Sequence, residues 1–281
     1  MISSLQNYLN NYQDRNSINY SLPNSGGVNQ AINSLHKAVT WRGSLSPYDT
    51  PAATRTFNSS SFPPENLAYT LPFNLSGTTP PSSFSFLGAR INQQAQTNGV
   101  IIICDRLIEV PGFVGNVNTV QTGTTLPSPS LPRYNPGTGV MVGLEISTQI
   151  GTTVTTVIAN YTGTDGVTGT TSPVTIGGTS NREVQRMILL PLRPGCTGVS
   201  SVTNIQLAAT TGTAGAFSVV LFKPLFMIPI QYTSNQIVCD YLSGGFIGRL
   251  QGVPSSTFMM LLHGGNTSDP RGLGSFFINE E

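Results

Sequence analysis

The chain has 281 residues, of which 38% are hydrophobic and 9% charged, against roughly 25% charged in an ordinary soluble domain. Its 13 basic and 12 acidic side chains nearly cancel. That excludes a strong field drawing in nucleic acid or a membrane surface, and it leaves little repulsion between copies. The apolar runs exclude disorder in spite of 30 Gly and 20 Pro.

Arginine outnumbers lysine 11 to 2, and its planar fork suits partly desolvated contacts. Cys104, Cys196 and Cys239 are odd in number, far apart and outside any C-x-x-C spacing, so unpaired thiols in a reducing compartment are expected. The opening MISSLQNYLNN has neither a basic n-region nor an apolar h-region, and no signal peptide is expected. No run reaches the roughly 18 apolar residues of a spanning helix. The sequons at Asn58, Asn74, Asn160 and Asn266 are read as fortuitous without an export signal.

In chain order, Ile2, Leu5, Tyr8, Leu9 and Tyr12 have the spacing of one face of a short helix. After Pro23-Asn24-Ser25-Gly26-Gly27, a second helix is predicted from Val28, Ala31, Ile32, Leu35 and Val39, with Asn24 or Ser25 as its cap and Gly43 as its stop. Residues 44–82 carry seven prolines and read as an extended, wrapping arm. SSFSFLGARINQQAQTNG (82–99) predicts one further helix closed by Asn98-Gly99. From Val100 the period changes to two. Strands are predicted over 100–110, in one piece or two joined at Asp105-Arg106, and over 140–149, 153–162, 186–192, 199–208, 216–226 and 257–265. Turn clusters such as Thr164-Asp165-Gly166 and Gly177-Gly178 separate them. Short strands at this spacing predict an all-β domain, an antiparallel β-sandwich or jelly roll, with an N-terminal helical and extended arm. The arm is assigned residues 1–98 and the sandwich residues 99–281.

Within TTGTAGAFSVVLFKPL (210–225), Gly212 and Gly215 supply a turn. Phe217, Val219 and Leu221 face one side, and Ser218, Val220 and Phe222 the other. Both sides call for cover, by a second sheet or a neighbouring subunit. Pro224 cannot donate to a ladder, so the strand is expected to end there or run along an edge.

Catalytic signatures are sparse. His36 and His263 have no metal-ligand spacing; neither G-x-S-x-G nor a phosphate-cradling G-x-x-x-x-G-K-[ST] occurs. GTG at 137–139 reads as a hairpin turn. Asp105, Glu109 and Glu145 lie on or beside predicted strands, where an acid pair could form; pairing with Arg106 or Arg90 is the favoured alternative. YNPG and TWRG are isolated features and form no stacking platform for nucleic acid. No catalytic residue, cofactor or metal is assigned.

The segments LPRYNPGTGVMVGLEIST (131–148), VIANYTGTDGVTGTT (158–171) and ILLPLRPGCTGVSSVTNIQLAATTGTAGAFSVVLFKPLFMIPI (188–230) together resemble virion structural proteins of tailed bacteriophages. SGGFIGRLQGVPSSTFMMLLHGGN and the terminal GSFFINEE fit the same pattern more loosely. The resemblance covers roughly residues 100–281. It implies a non-enzymatic virion component assembled in the host cytoplasm, with the major capsid protein or other virion proteins as partners and no nucleic acid or membrane. Shell subunits of such particles carry a long charged spine helix, which this sequence lacks, so a capsid-associated decoration or minor head protein is expected, forming a homo-oligomer. A tail, neck or baseplate protein is the alternative, and a glycan-binding or receptor-binding module the alternative of another class. Leu5, Tyr8, Leu9 and Tyr12 are assigned to partner contact, because a stripe that short does not fold alone.

Overall fold

The computed structural model describes residues 53–56, residues 100–229 and Leu262 to the side chain, and beyond these the backbone of the strands. The strands are β1 (Asn16–Leu22), β2 (Ser34–Lys37), β3 (Arg55–Thr56), β4 (Leu71–Pro72), β5 (Ser83–Gln93), β6 (Gly99–Phe113), β7 (Met141–Thr148), β8 (Thr155–Gly163) and β9 (Thr168–Thr170). They continue with β10 (Val174–Ile176), β11 (Arg186–Leu190), β12 (Val199–Leu207), β13 (Ala216–Ile230), β14 (Gln236–Asp240), β15 (Gly252–Pro254), β16 (Phe258–Gly265) and β17 (Gly272–Glu280). Every pairing between them is antiparallel. The described residues contain no helix.

The largest sheet closes on itself. Its ladder runs β6-β13-β7-β11-β2-β16 and returns to β6, with β3 alongside β6 and β4 alongside β16. A four-stranded sheet of β10, β8 and β12, with β9 also on β8, packs against it. A third sheet joins β1, β17, β5 and β14, with β15 on β5.

Alternation sets which side chains meet. In β8 every second residue is buried, and Val157, Ala159 and Tyr161 join Val202, Ile205 and Leu207 of β12 over the inner face of the larger sheet. That sheet contributes Val142, Leu144 and Ile146 of β7 and Phe217, Val219 and Leu221 of β13. Phe113 and Phe217 stack with centroids 5.5 Å apart. The opposite face of the same strands, lining the ring, holds Cys104, Met187, Val220, Phe222 and Leu262. Both faces of the 216–222 segment are therefore covered, as its sequence demands. Gly143 makes room on the ring side, where a Cβ would stand 2.6 Å from the Met187 sulfur.

Two expectations are corrected. Residues 34–37, inside the helix predicted over 28–39, form β2, paired with β11 and β16. Residues 83–93, inside the helix predicted over 82–99, form β5, flanked by β17 and β14. In both, hydrogen bonds to distant strands outweigh a local helical spacing, since propensity is only a weak prior. Of the two expectations for Pro224 the structure supports the edge: β13 continues past it to Ile230. Past Phe222 it has left β7 and pairs with β6 alone, with an irregularity between Pro224 and Phe226. Pro224 thus occupies the edge-like stretch where a missing N–H costs nothing in the ladder. The helix predicted from Ile2 to Tyr12 lies outside the described residues. The strands between residues 16 and 93 pair with strands after residue 99.

The outer edge of β12 is sealed by the long β6–β7 connection. Gln121 exchanges backbone hydrogen bonds with Ile205, and Ser128 N–H donates to Val202 C=O. The Gln121 carboxamide accepts from Val114 N–H and donates to the carbonyls of Val114 and Val117. A covered edge cannot template strand addition.

Candidate functional site: inward charge and a charge-poor surface

Arg106 is the centre of a buried ion network lining the ring. Its Nη1 lies 2.7 Å from Glu145 Oε2 and its Nη2 2.9 Å from Glu109 Oε2, and Arg55 Nη1 stands 3.7 Å from the same Glu109 oxygen. Arg106 and Glu109 are three apart, which in a regular strand puts them on opposite faces. The register slips between Leu221↔Ile108 and Phe222↔Arg106, so Leu107 is an extra residue. This bulge turns Arg106 and Glu109 to one side while Leu107 and Ile108 both enter the inter-sheet core. Burial by itself would pull the Arg106 pKa down, but the two glutamates outweigh it and hold it above the ordinary arginine range.

Asp105 points to the other face. Arg133 meets it with a two-pronged fork, Nε to Oδ2 at 2.8 Å and Nη2 to Oδ1 at 2.6 Å, and Nη2 also donates to the Arg106 carbonyl. The segment carrying Arg133 is built to deliver it. Leu131 is buried in the core, Tyr134 adopts φ 64°, and Lys223 Nζ sits 4.1 Å from the Tyr134 ring centroid. At Gly137, φ is 109° and a Cβ would fall 2.1 Å from the Val199 carbonyl oxygen. L-P-R-Y-N-P-G-T-G is thus a clamp between the two sheets, and its GTG is a turn, as read.

At the opposite end of the strands, Thr211 ties the loops together. Its Oγ1 accepts from Gly151 N–H and donates to Thr213 C=O. Its N–H donates to Gly115 C=O, and its carbonyl accepts from Thr153 N–H. A Cβ on Gly151 would stand 1.9 Å from that carbonyl oxygen. The bland TTGTAG stretch therefore packs backbone on backbone, which needs Gly and small Thr side chains and excludes charge.

Among the described residues the charges are largely turned inward. Asp105, Arg106, Glu109, Arg133, Glu145, Glu183 and Arg186 are buried. Asp165 alone among the charged described residues is exposed, and it pairs with Arg193. The backbone N–H of Val167, followed by Arg193, holds the Asp165 carboxyl below its usual range.

Of the three strand carboxylates, Glu109 and Glu145 come together on one guanidinium, while Asp105 is separated from them and held by Arg133. Arginine pairing, the favoured expectation, holds for Arg106; the Asp105 partner is Arg133, which sequence reasoning missed. An arginine inside a turn motif rich in Pro and Gly was the available signal. Leu5, Tyr8, Leu9 and Tyr12 lie outside the described residues. The backbone register sets His36 opposite His263 and also opposite Arg186, a proximity that sequence spacing does not reveal. Among the described residues no cluster of His, Cys, Asp and Glu could hold a metal ion.

Cys104 and Cys196 are free thiols, and burial, with Asp105 adjacent, pushes the Cys104 thiol well above its ordinary pKa. Cys239 lies outside the residues described to the side chain. The Asn160 sequon is mid-strand, its carboxamide bonded to Thr170 and Asn204, a geometry unsuited to glycosylation. Asn58, Asn74 and Asn266 lie outside the described residues.

No family model matches the chain, and no curated protein matches it. Among solved structures, similarity is found to that of infectious bursal disease virus Gt strain, 12% identical, covering 94% of this chain and 80% of that one at a TM-score of 0.16. The infectious bursal disease virus VP2 subviral particle is 9% identical over 95% of this chain and 80% of that one, at a TM-score of 0.17. The T=1 particles derived from infectious bursal virus are 10% identical over 95% and 77%, also at 0.17. TM-scores this low carry neither a fold assignment nor a function. The chain is an all-β protein of antiparallel sheets.

Proposed function

We propose that this protein is a non-enzymatic structural component of a bacteriophage virion, a capsid-associated decoration or minor head protein. The observation that carries this reading is the distribution of charge. A protein that works free in solution keeps its surface dispersed with exposed Lys, Arg, Asp and Glu. Here, among the described residues, most of them are buried and the strand carboxylates are paired internally, while the exposed positions are chiefly Thr, Gly, Pro, Ser, Asn, Ala and Val, with Asp165 the one exposed charge. Such a surface stays soluble poorly alone and loses little on being covered. The resemblance of residues 100–281 to virion structural proteins of tailed phages supports the same context.

Binding alone suffices for this role. Among the described residues the strand carboxylates Asp105, Glu109 and Glu145 are each committed to an arginine, and none of the three is placed as a free acid or base. A glycan-binding module would present an aromatic platform. The exposed large hydrophobics among the described residues are Val120, Val154, Val167 and Met227, none of them aromatic. Attachment is assigned to the N-terminal segment, with Leu5, Tyr8, Leu9 and Tyr12 as its apolar stripe, together with the sandwich surface.

Gold-labelled antibody against the chain, applied to purified particles, tests the assignment. Label spread over the head is the expected result. Label confined to the tail, neck or baseplate moves the protein to the alternative location, and absence of label from intact and opened particles rejects a virion role.

A further inference from the structure

The outer face of the four-stranded sheet is uncharged at every position, which is unusual for a solvent-facing sheet. Its register places Thr162 opposite Ser201, Asn160 opposite Asn204 and Ile158 opposite Gln206, with Thr168 and Thr170 of β9 beside Thr162 and Asn160. The central row is already ordered. Thr170 Oγ1 donates to Asn160 Oδ1 at 2.7 Å, and Asn160 Nδ2 donates to Asn204 Oδ1 at 2.7 Å. Bonded on both sides, Asn160 has lost its rotamer freedom before any partner arrives, so docking does not pay that entropy again.

The row is also polarised. At one end the Asn204 NH2 is left as a donor, and at the other the Thr170 hydroxyl, having given its proton, is left with acceptor lone pairs. Two strand spacings of ~4.8 Å separate the ends. A two-fold rotation brings the donor end of one row onto the acceptor end of another, the self-complementarity an isologous contact requires. No charge on the face opposes a second copy. The β12 edge is sealed by the 121–128 segment, so strand addition on that side is closed.

We propose that this face, centred on the Thr170–Asn160–Asn204 row, is the docking surface for a second copy of the chain. The inference deepens the structural role proposed above, by naming the surface through which copies meet. Sedimentation velocity of the purified full chain over a concentration series tests it. The wild type is expected to self-associate, and Thr170→Lys, at an exposed position, to weaken association at least about tenfold by placing an unpaired charge in the contact. Adding Asn204→Asp to Thr170→Lys restores association, because the two-fold sets each new aspartate against the partner's new lysine. A control, Thr213→Lys in the loop end, associates like the wild type.

A wild type that stays monomeric at every concentration overturns the inference, as does equal weakening by Thr170→Lys and Thr213→Lys. The same variants separate this inference from the virion role. Association that follows the stated pattern in a chain absent from particles keeps the face and rejects the role. A chain present in particles but monomeric keeps the role and rejects the face.

Discussion

Arg106→Met costs the fold ~3–5 kcal/mol, as expected when one partner of a buried ion network is removed. The substitution keeps much of the side-chain volume, so the loss is electrostatic and not a cavity effect. It takes from Glu109 and Glu145, whose side chains are 5% and 6% exposed, the guanidinium they share, with the more distant Arg55 still beside Glu109. Against a total stability of about 5–15 kcal/mol for a typical domain, that is a large fraction, and the midpoint of chemical denaturation should fall accordingly. The network also predicts strong coupling. Arg106→Met combined with Glu145→Gln should cost clearly less than the sum of the two single changes, since the second removes a charge the first had stranded. Strictly additive costs would show that the three side chains do not act as one unit.

Gly137→Ala carries the second large effect. The positive φ alone costs on the order of 1–3 kcal/mol for a residue with a Cβ. In addition, the new carbon meets the backbone of Val199 at 2.1 Å from its oxygen and 2.5 Å from its carbonyl carbon. Backbone cannot rotate out of the way as a side-chain tip can, so the clamp between the sheets has to open. Gly195→Ala is the matched control. It has φ 81° but nothing within 4 Å of the new carbon, so it should show the conformational cost by itself, about 1–2 kcal/mol. A thermal shift for Gly137→Ala no larger than for Gly195→Ala would contradict the close approach at Val199.

Strands with apolar residues at every second position of their sequence were legible. β7, β8, β12 and the first half of β13 fall within a few residues of their predicted limits, because period two and flanking Gly or Pro are local signals. β5 and β2 were not legible. The spacing of Leu87 and Ile91, or of Ala31 and Leu35, satisfies a helix as well as a strand, and what decides is a partner such as β17 or β16 far along the chain. The β3, β9, β10, β14 and β15 strands are too short to show a period. β17 carries the GSFFINEE stretch, noted for resemblance but not as a strand.

The site was half legible. Asp105, Glu109 and Glu145 could be picked out as strand carboxylates needing arginine, and Arg106 named as a partner. The bulge at Leu107, which alone brings Arg106 and Glu109 to one face, has no local signature. Arg133 reaches Asp105 through the fold and not through sequence proximity. The charge-poor composition was visible from the start, but only the structure shows that most of the charged residues among the described ones are held inside.

The central claim is that this chain is built to be covered by neighbours in a particle. Its most direct test is the copy number of the protein in purified virions, by quantitative mass spectrometry against a shell subunit as internal standard. A head-surface role predicts a copy number in simple proportion to that subunit. Absence of the protein from purified particles would contradict the claim outright.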